Sequence, residues 1–156
     1  MSSRPETGIY ARESAALKRY VQVGVASGRV LSVEFPGSPD ADAGKDLPLL
    51  DRIDASLEGE REDFADVDVA MTMPTDRRDV LEAIRNIPYG DQVGVAELAG
   101  MTPGLEGDDG DRQLVRTALA ENPAPLLIPD HRVRDGPSAA PPAVEKQLRS
   151  VEGLYV

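Results

Sequence analysis

The residues best placed to do chemistry lie in one short run, Asn122-Pro-Ala-Pro-Leu-Leu-Ile-Pro-Asp-His-Arg-Val133. It holds His131, the one histidine of the chain, between Asp130 and Arg132. A carboxylate beside an imidazole can serve as a general base or as an acceptor of a transferred group. The same residues can be purely structural, with Asp130 bonded to His131 or an arginine, and Glu152 to Arg132 or Arg149. Arg112 and Arg116 are the other candidates, because residues four apart share a helix face and two guanidiniums there can meet phosphates. Together with Arg77, Arg78 and Arg85 they can equally be solvated surface charge. The chain has no cysteine, which excludes a thiolate nucleophile, a disulfide and a zinc–thiolate site. No metal and no cofactor are expected.

The elements that must position these residues follow from periodicity. Tyr20–Val25 and Val30–Phe35 alternate around Ala26-Ser27-Gly28-Arg29, the signature of a β-hairpin. Pro36–Lys45 reads as a loop. Leu49, Leu50, Ile53 and Leu57 fall at helical spacing within Leu47–Glu58. Asp63–Met73 reads as a short extended segment. Thr75 or Asp76 is expected to cap a helix whose apolar stripe is Val80, Leu81, Ile84 and Ile87. Pro88-Tyr89-Gly90-Asp91 stops it with turn chemistry. A short helix follows over Val93–Met101, centred on Val95-Ala-Glu-Leu-Ala99, then an acidic loop over Thr102–Gly110. A third helix is expected to begin at Gly110 or Asp111 and to end at Glu121. Its apolar face is Leu114, Val115, Ala118 and Leu119, with Arg112, Gln113 and Arg116 opposite. A short helix, a turn and a second helix bearing exposed arginines suit a helix-turn-helix.

Composition limits the function. The 156 residues carry a net charge of −11, and of the 17 basic residues three are Lys (Lys18, Lys45 and Lys146). Both halves are acidic, so a nucleic-acid surface has to be a local arginine patch. High acid, little Lys and no Cys favour adaptation to concentrated salt, where the Debye length falls to about 3 Å at 1 M. No signal peptide and no apolar run of membrane-spanning length is visible. A cytoplasmic monomer away from membranes is expected.

The run Asn122–Val133 resembles the active-site segment of the alkylguanine DNA alkyltransferases, the methylated-DNA–protein-cysteine methyltransferases. Asp130 stands where that family has its cysteine. Ile87-Pro-Tyr-Gly90 followed by Val95-Ala-Glu-Leu-Ala99 is similar to the family as well, and so is Val151-Glu152-Gly153. Tyr20–Phe35, Leu57-Glu-Gly59 and Asp63-Phe64 resemble its smaller N-terminal domain more weakly. The resemblance implies two domains. Residues 1–73 would be an α/β, ribonuclease-H-like unit with a small antiparallel sheet. Residues 74–156 would be a mainly α, winged-helix or helix-turn-helix unit carrying the DNA-binding surface and the active site. It also implies duplex DNA as partner, alkylated guanine as lesion, and a flipped base received in a pocket.

The family moves an alkyl group from guanine to sulfur, with a His and a Glu activating the thiol through a water. By position these are His131 and Glu152, with Asn122, Pro129 and Arg132 as structural members of the motif. Asp130 is a poor nucleophile towards an alkyl carbon. The family's phosphate-rotating Tyr aligns with Val95. Its finger Arg, which fills the gap left by the flipped base, aligns with Gln113, one position after Arg112. Arg116 replaces a small residue of the recognition helix. Pro137–Pro142 replaces a Gly-rich pocket loop. The favoured expectation is a DNA-binding, alkyltransferase-like protein without transfer activity that flags lesions for other repair proteins. Two alternatives stand: an enzyme working through Asp130 and His131, and a protein-interaction role without DNA.

Overall fold

The computed structural model describes residues 7–154. Three strands form one antiparallel sheet in the order β1-β2-β3: β1 Gly8–Ser14, β2 Arg19–Ala26 and β3 Arg29–Glu34. The hairpin between β2 and β3 turns at Ser27 and Gly28, with φ of 53° and 77°. Two successive left-handed residues give the turn whose twist matches antiparallel strands. Val21, Val23, Val25, Val30 and Val33 point inward and are buried. β1 is an addition to the expected hairpin. Its buried positions are Ala11 and Ser14, and its place is fixed by backbone pairing along β2.

Both edges of the sheet are covered. Gly44 bonds to the backbone of Ile9 and Ala11 on the β1 side. On the β3 side Val30 pairs with Asp68 and Ala70, and the Val33 N–H donates to Pro123 O at 2.9 Å. That last bond fastens the sheet to the start of the chemical motif. The expected extended segment 63–73 contributes one isolated bridge, Val30–Val69, after a turn at Phe64.

Helix α1 spans Pro48–Leu57 and places Leu50, Ile53 and Leu57 against the sheet's inner face. The helical C-terminal part follows: α2 Thr75–Ile84, α3 Val95–Met101, α4 Asp109–Ala120 and α5 Pro142–Glu152. The stripe Val80, Leu81, Ile84 and Ile87 is buried as its spacing requires. The buried residues of both halves join in one apolar cluster. Helices α2, α3 and α4 pack on one another, with α3, a loop and α4 in helix-turn-helix order. Two details correct the sequence reading. Neither Thr75 nor Asp76 caps α2, whose N-cap is Pro74 without a side-chain bond, the Asp76 carboxylate accepting instead from the Arg77 N–H. Helix α4 starts at Asp109, because the Asp108 carboxylate accepts from the Asp111 N–H and supplies the cap. The described C-terminal residues form two isolated parallel bridges, Val93–Val133 and Pro125–Ile128, and no hairpin wing.

Candidate functional site

Asn122 follows the end of α4 and organises the motif. Its Nδ2 donates to Ile128 O at 2.9 Å and to Asp130 Oδ2 at 3.0 Å, while its Oδ1 accepts from the Ala124 N–H. The loop so tied takes Leu126 to a φ of 84°, a strained value for a residue with a side chain. Buried Pro129 leads into a single 3₁₀ turn, Asp130–Arg132, which puts three polar side chains under the surface. Burial of charged groups is tolerated where each finds partners.

Asp130 is 0% exposed. Its carboxylate accepts from Ser138 Oγ at 2.6 Å, the Ala139 N–H at 2.9 Å and Asn122. Burial pushes its pKa above the ordinary carboxylate range, against the lowering effect of these three donors and of His131. Ser138 and Ala139 belong to the loop 137–141 that leads into α5. The loop therefore closes onto Asp130, and the carboxylate bonds to it rather than to His131 or an arginine. Sequence reasoning missed both residues, although the polar Ser in an otherwise apolar Pro/Ala loop was a usable signal.

His131 and Glu152 do meet. His131 Nε2 lies 2.5 Å from Glu152 Oε2, and because a carboxylate only accepts, Nε2 carries the proton. His131 Nδ1 is buried and has no partner among the described residues. Glu152 also receives Arg132 Nε at 2.8 Å, Arg132 Nη2 at 3.1 Å and the Gly90 N–H at 2.9 Å. Burial alone would raise the Glu152 pKa, but the His131 and Arg132 hydrogen bonds outweigh it and hold the carboxyl at about 2. Gly153, at a φ of 72°, ends α5 directly behind Glu152 and fixes its reach. Arg132 Nη1 donates to Ile87 O, and Arg149 donates to His131 O and Val133 O. The turn and α5 thus form a polar knot around the buried side chains of His131, Arg132 and Glu152, tied to the Pro88–Asp91 bend. The cavity that touches both His131 and Glu152 measures about 20 Å³, room for a water but not for a base.

Of the candidates for nucleic-acid contact, Arg112, Gln113 and Arg116 all lie exposed on α4. Their side chains make no hydrogen bond or ion pair among the described residues. The acids Asp108, Asp109 and Asp111 share that end of the helix. Val95 requires a correction. Its side chain is 1% exposed in the core, so it offers DNA no contact, and the exposed residues of α3 beside it are Ala96 and Glu97. The Val95 N–H instead donates to Asp135 Oδ1 at 2.6 Å, and Arg134 pairs with Glu97 at 2.6 Å. The stretch after the motif thereby clamps the start of α3.

A three-stranded sheet followed by a helix-turn-helix, with an Asn–Pro–Pro–His–Arg knot and a C-terminal Glu, defines the alkyltransferase class of fold. The family model for the 6-O-methylguanine DNA methyltransferase DNA-binding domain matches residues 76–147. A methylated-DNA–protein-cysteine methyltransferase of Methanopyrus kandleri is 32% identical over 107 residues, covering 67% of this chain and 77% of the relative. A DNA base-flipping protein of Thermus thermophilus is 31% identical over 103 residues, 64% of each chain. The Mycobacterium tuberculosis OGT solved in complex with DNA superposes with a TM-score of 0.70 at 18% identity, over 93% of this chain and 92% of that one. The chain belongs to the methylated-DNA–protein-cysteine methyltransferase family, as a divergent member without the cysteine.

Proposed function

We propose that this protein is a DNA-binding, repair-related member of the family that meets duplex DNA through α4 and transfers no alkyl group. The observation that carries the reading is the state of Asp130. It occupies the nucleophile position, has no exposed surface and is bonded to the loop over it. An acceptor must reach its substrate to within about 3–3.5 Å, and this carboxylate is sealed from any base. Arg112, Gln113 and Arg116 remain free for DNA. The protein acts as a monomer in a salt-rich cytoplasm and marks alkylated guanine for other repair proteins.

The test is binding of short duplexes, with and without an alkylated guanine, in high potassium chloride. The lesion duplex should bind more tightly, and R112A/R116A should remove binding to both. Equal binding of the two duplexes at every salt concentration overturns lesion recognition. Unchanged binding by R112A/R116A overturns α4 as the interface. Disappearance of the alkyl group from the duplex, with matching mass gain on the protein, overturns the inactive reading.

A further inference from the structure

A cleft of about 570 Å³ lies outside the motif. It is lined by Arg61, Glu62 and Asp63 from the loop after α1, Arg85 and Tyr89 from the end of α2 and the following bend, and Arg132. Its acids are already engaged. Glu62 accepts from Arg52 and from the Phe64 N–H, and Asp63 accepts from the Ala65 N–H. Arg132 is matched by Glu152 and Ile87 O.

Arg61 and Arg85 differ from these. The Arg61 guanidinium sits 5.2 Å above the Tyr89 ring, which Arg132 also approaches at 5.5 Å. A cation–π contact holds a guanidinium in place without using its N–H donors. Arg85 is half-buried and makes one hydrogen bond, Nη2 to Phe64 O at 2.6 Å. No carboxylate lies within ion-pair distance of either residue among the described residues. Burial lowers the Arg85 pKa, while Asp68, Asp63 and Asp66 act on it only from farther away. Two anchored guanidinium forks with free donors thus border one concave space in an acidic protein.

We propose that this cleft is an oxyanion site for a phosphate group, gripped by Arg61 and Arg85. Planar N–H forks match tetrahedral phosphate oxygens. The 570 Å³ volume also leaves room for what a phosphate monoester carries. The group can come from a mononucleotide or from a DNA backbone. The site does not rest on α4 as the DNA interface.

The experiment is an NMR titration of the arginine Nε–Hε signals with inorganic phosphate, at ionic strength held constant with chloride. Saturable shifts are expected at Arg61 and Arg85, and no saturation at Arg29 or Arg112. R61A alters an exposed side chain, and R85K keeps the charge but loses the fork. Each should weaken phosphate about tenfold, the scale of one charge-assisted hydrogen bond. Shifts of equal, non-saturating form at all arginines overturn the site, and so does affinity unchanged in both variants. Competition then separates the sources. Displacement of phosphate by a mononucleotide assigns the site to free phosphate esters, and displacement by plain duplex alone assigns it to DNA. R112A/R116A leaves phosphate affinity unchanged, which keeps failure of the α4 interface distinct from failure of this site.

Discussion

Replacing Glu152 with glutamine should unlock the polar knot, and the size of the effect follows from the carboxyl's ionisation. Glu152 is held at about 2 against an ordinary 4.5, and its side chain is 4% exposed. The difference corresponds to about 3 kcal/mol of native-state stability at neutral pH. An independent route gives a similar figure. Removing one partner of a buried ion pair costs about 3–5 kcal/mol, because the survivor is left uncompensated. Here the survivor is Arg132, 5% exposed. A glutamine keeps one acceptor oxygen but turns an N–H₂ towards His131 or Arg132, donor against donor. The sign in pH is fixed by the lowered value. The stabilisation is fully present above about 4.5 and is lost as pH falls through about 2, with roughly 2 of the 3 kcal/mol gone by about pH 3. The assay is urea unfolding of both proteins in high potassium chloride across this range. Near pH 7 the variant should be less stable by about 3 kcal/mol, which is about 10 °C in Tm for a chain of this size. Towards pH 3 the two should converge. Salt should change the difference little, since buried pairs are poorly screened. A neutral-pH difference under about 1 kcal/mol, or one that does not vary with pH, refutes the reasoning.

Further outcomes can be checked alongside. Asp130→Asn leaves one acceptor oxygen: an amide N–H₂ at the Oδ2 position meets Asn122 Nδ2 and the Ala139 N–H, donor against donor, and at the Oδ1 position it forces the Ser138 hydroxyl to turn from donor to acceptor. It should raise hydrogen exchange at Ala139 and cost about 1–3 kcal/mol near neutral pH. Asp130 titrates above its ordinary range, so the wild-type carboxylate favours folding most when protonated, and the deficit of Asp130→Asn should be larger at acid pH than at neutral pH. Gly136→Ala brings a Cβ to 2.6 Å from Leu119 Cδ1 and 3.2 Å from Val95 Cγ2. Thermal unfolding should show a loss of about 1–3 kcal/mol from overpacking where α3, α4 and the post-motif turn meet. Duplex binding through Arg112 and Arg116 limits the slope of log K against log salt to about −1.8, two phosphates' worth. The acids around them should flatten it further, and a slope steeper than −3 would place the interface elsewhere.

How much of this was legible in the sequence depends on range. The hairpin β2–β3 and the stripe of α2 were readable because alternation and helical spacing record burial directly. β1 was not, because its inward residues are Ala11 and Ser14 and its existence depends on pairing with β2. The membership of Asn122, His131, Arg132 and Glu152 in one site was implied by the resemblance to the family, not by periodicity. The bond from Asp130 to Ser138 was not, since it depends on how the loop 137–141 closes in space. Val95 shows a different limit. Alignment located its place on α3, but not the face it presents, and that face belongs to the core.

The retained motif therefore says less about catalysis than its letters suggest. Asn122 shapes the loop 122–130, Arg132 ties the turn to Ile87 O, and Glu152 joins α5 to Gly90 and His131. Each of these bonds supports the fold whether or not a nucleophile is present. Asp130 takes part in the same logic. A buried aspartate without donors would be an unpaired charge of prohibitive cost. In this chain Asn122, Ser138 and Ala139 supply three hydrogen bonds, and Asp130 anchors the loop that closes over it. Asp130→Cys would remove those acceptors without enlarging the space over residue 130. Alkyl transfer should consequently stay absent from that variant, because sulfur alone does not rebuild a base-sized pocket.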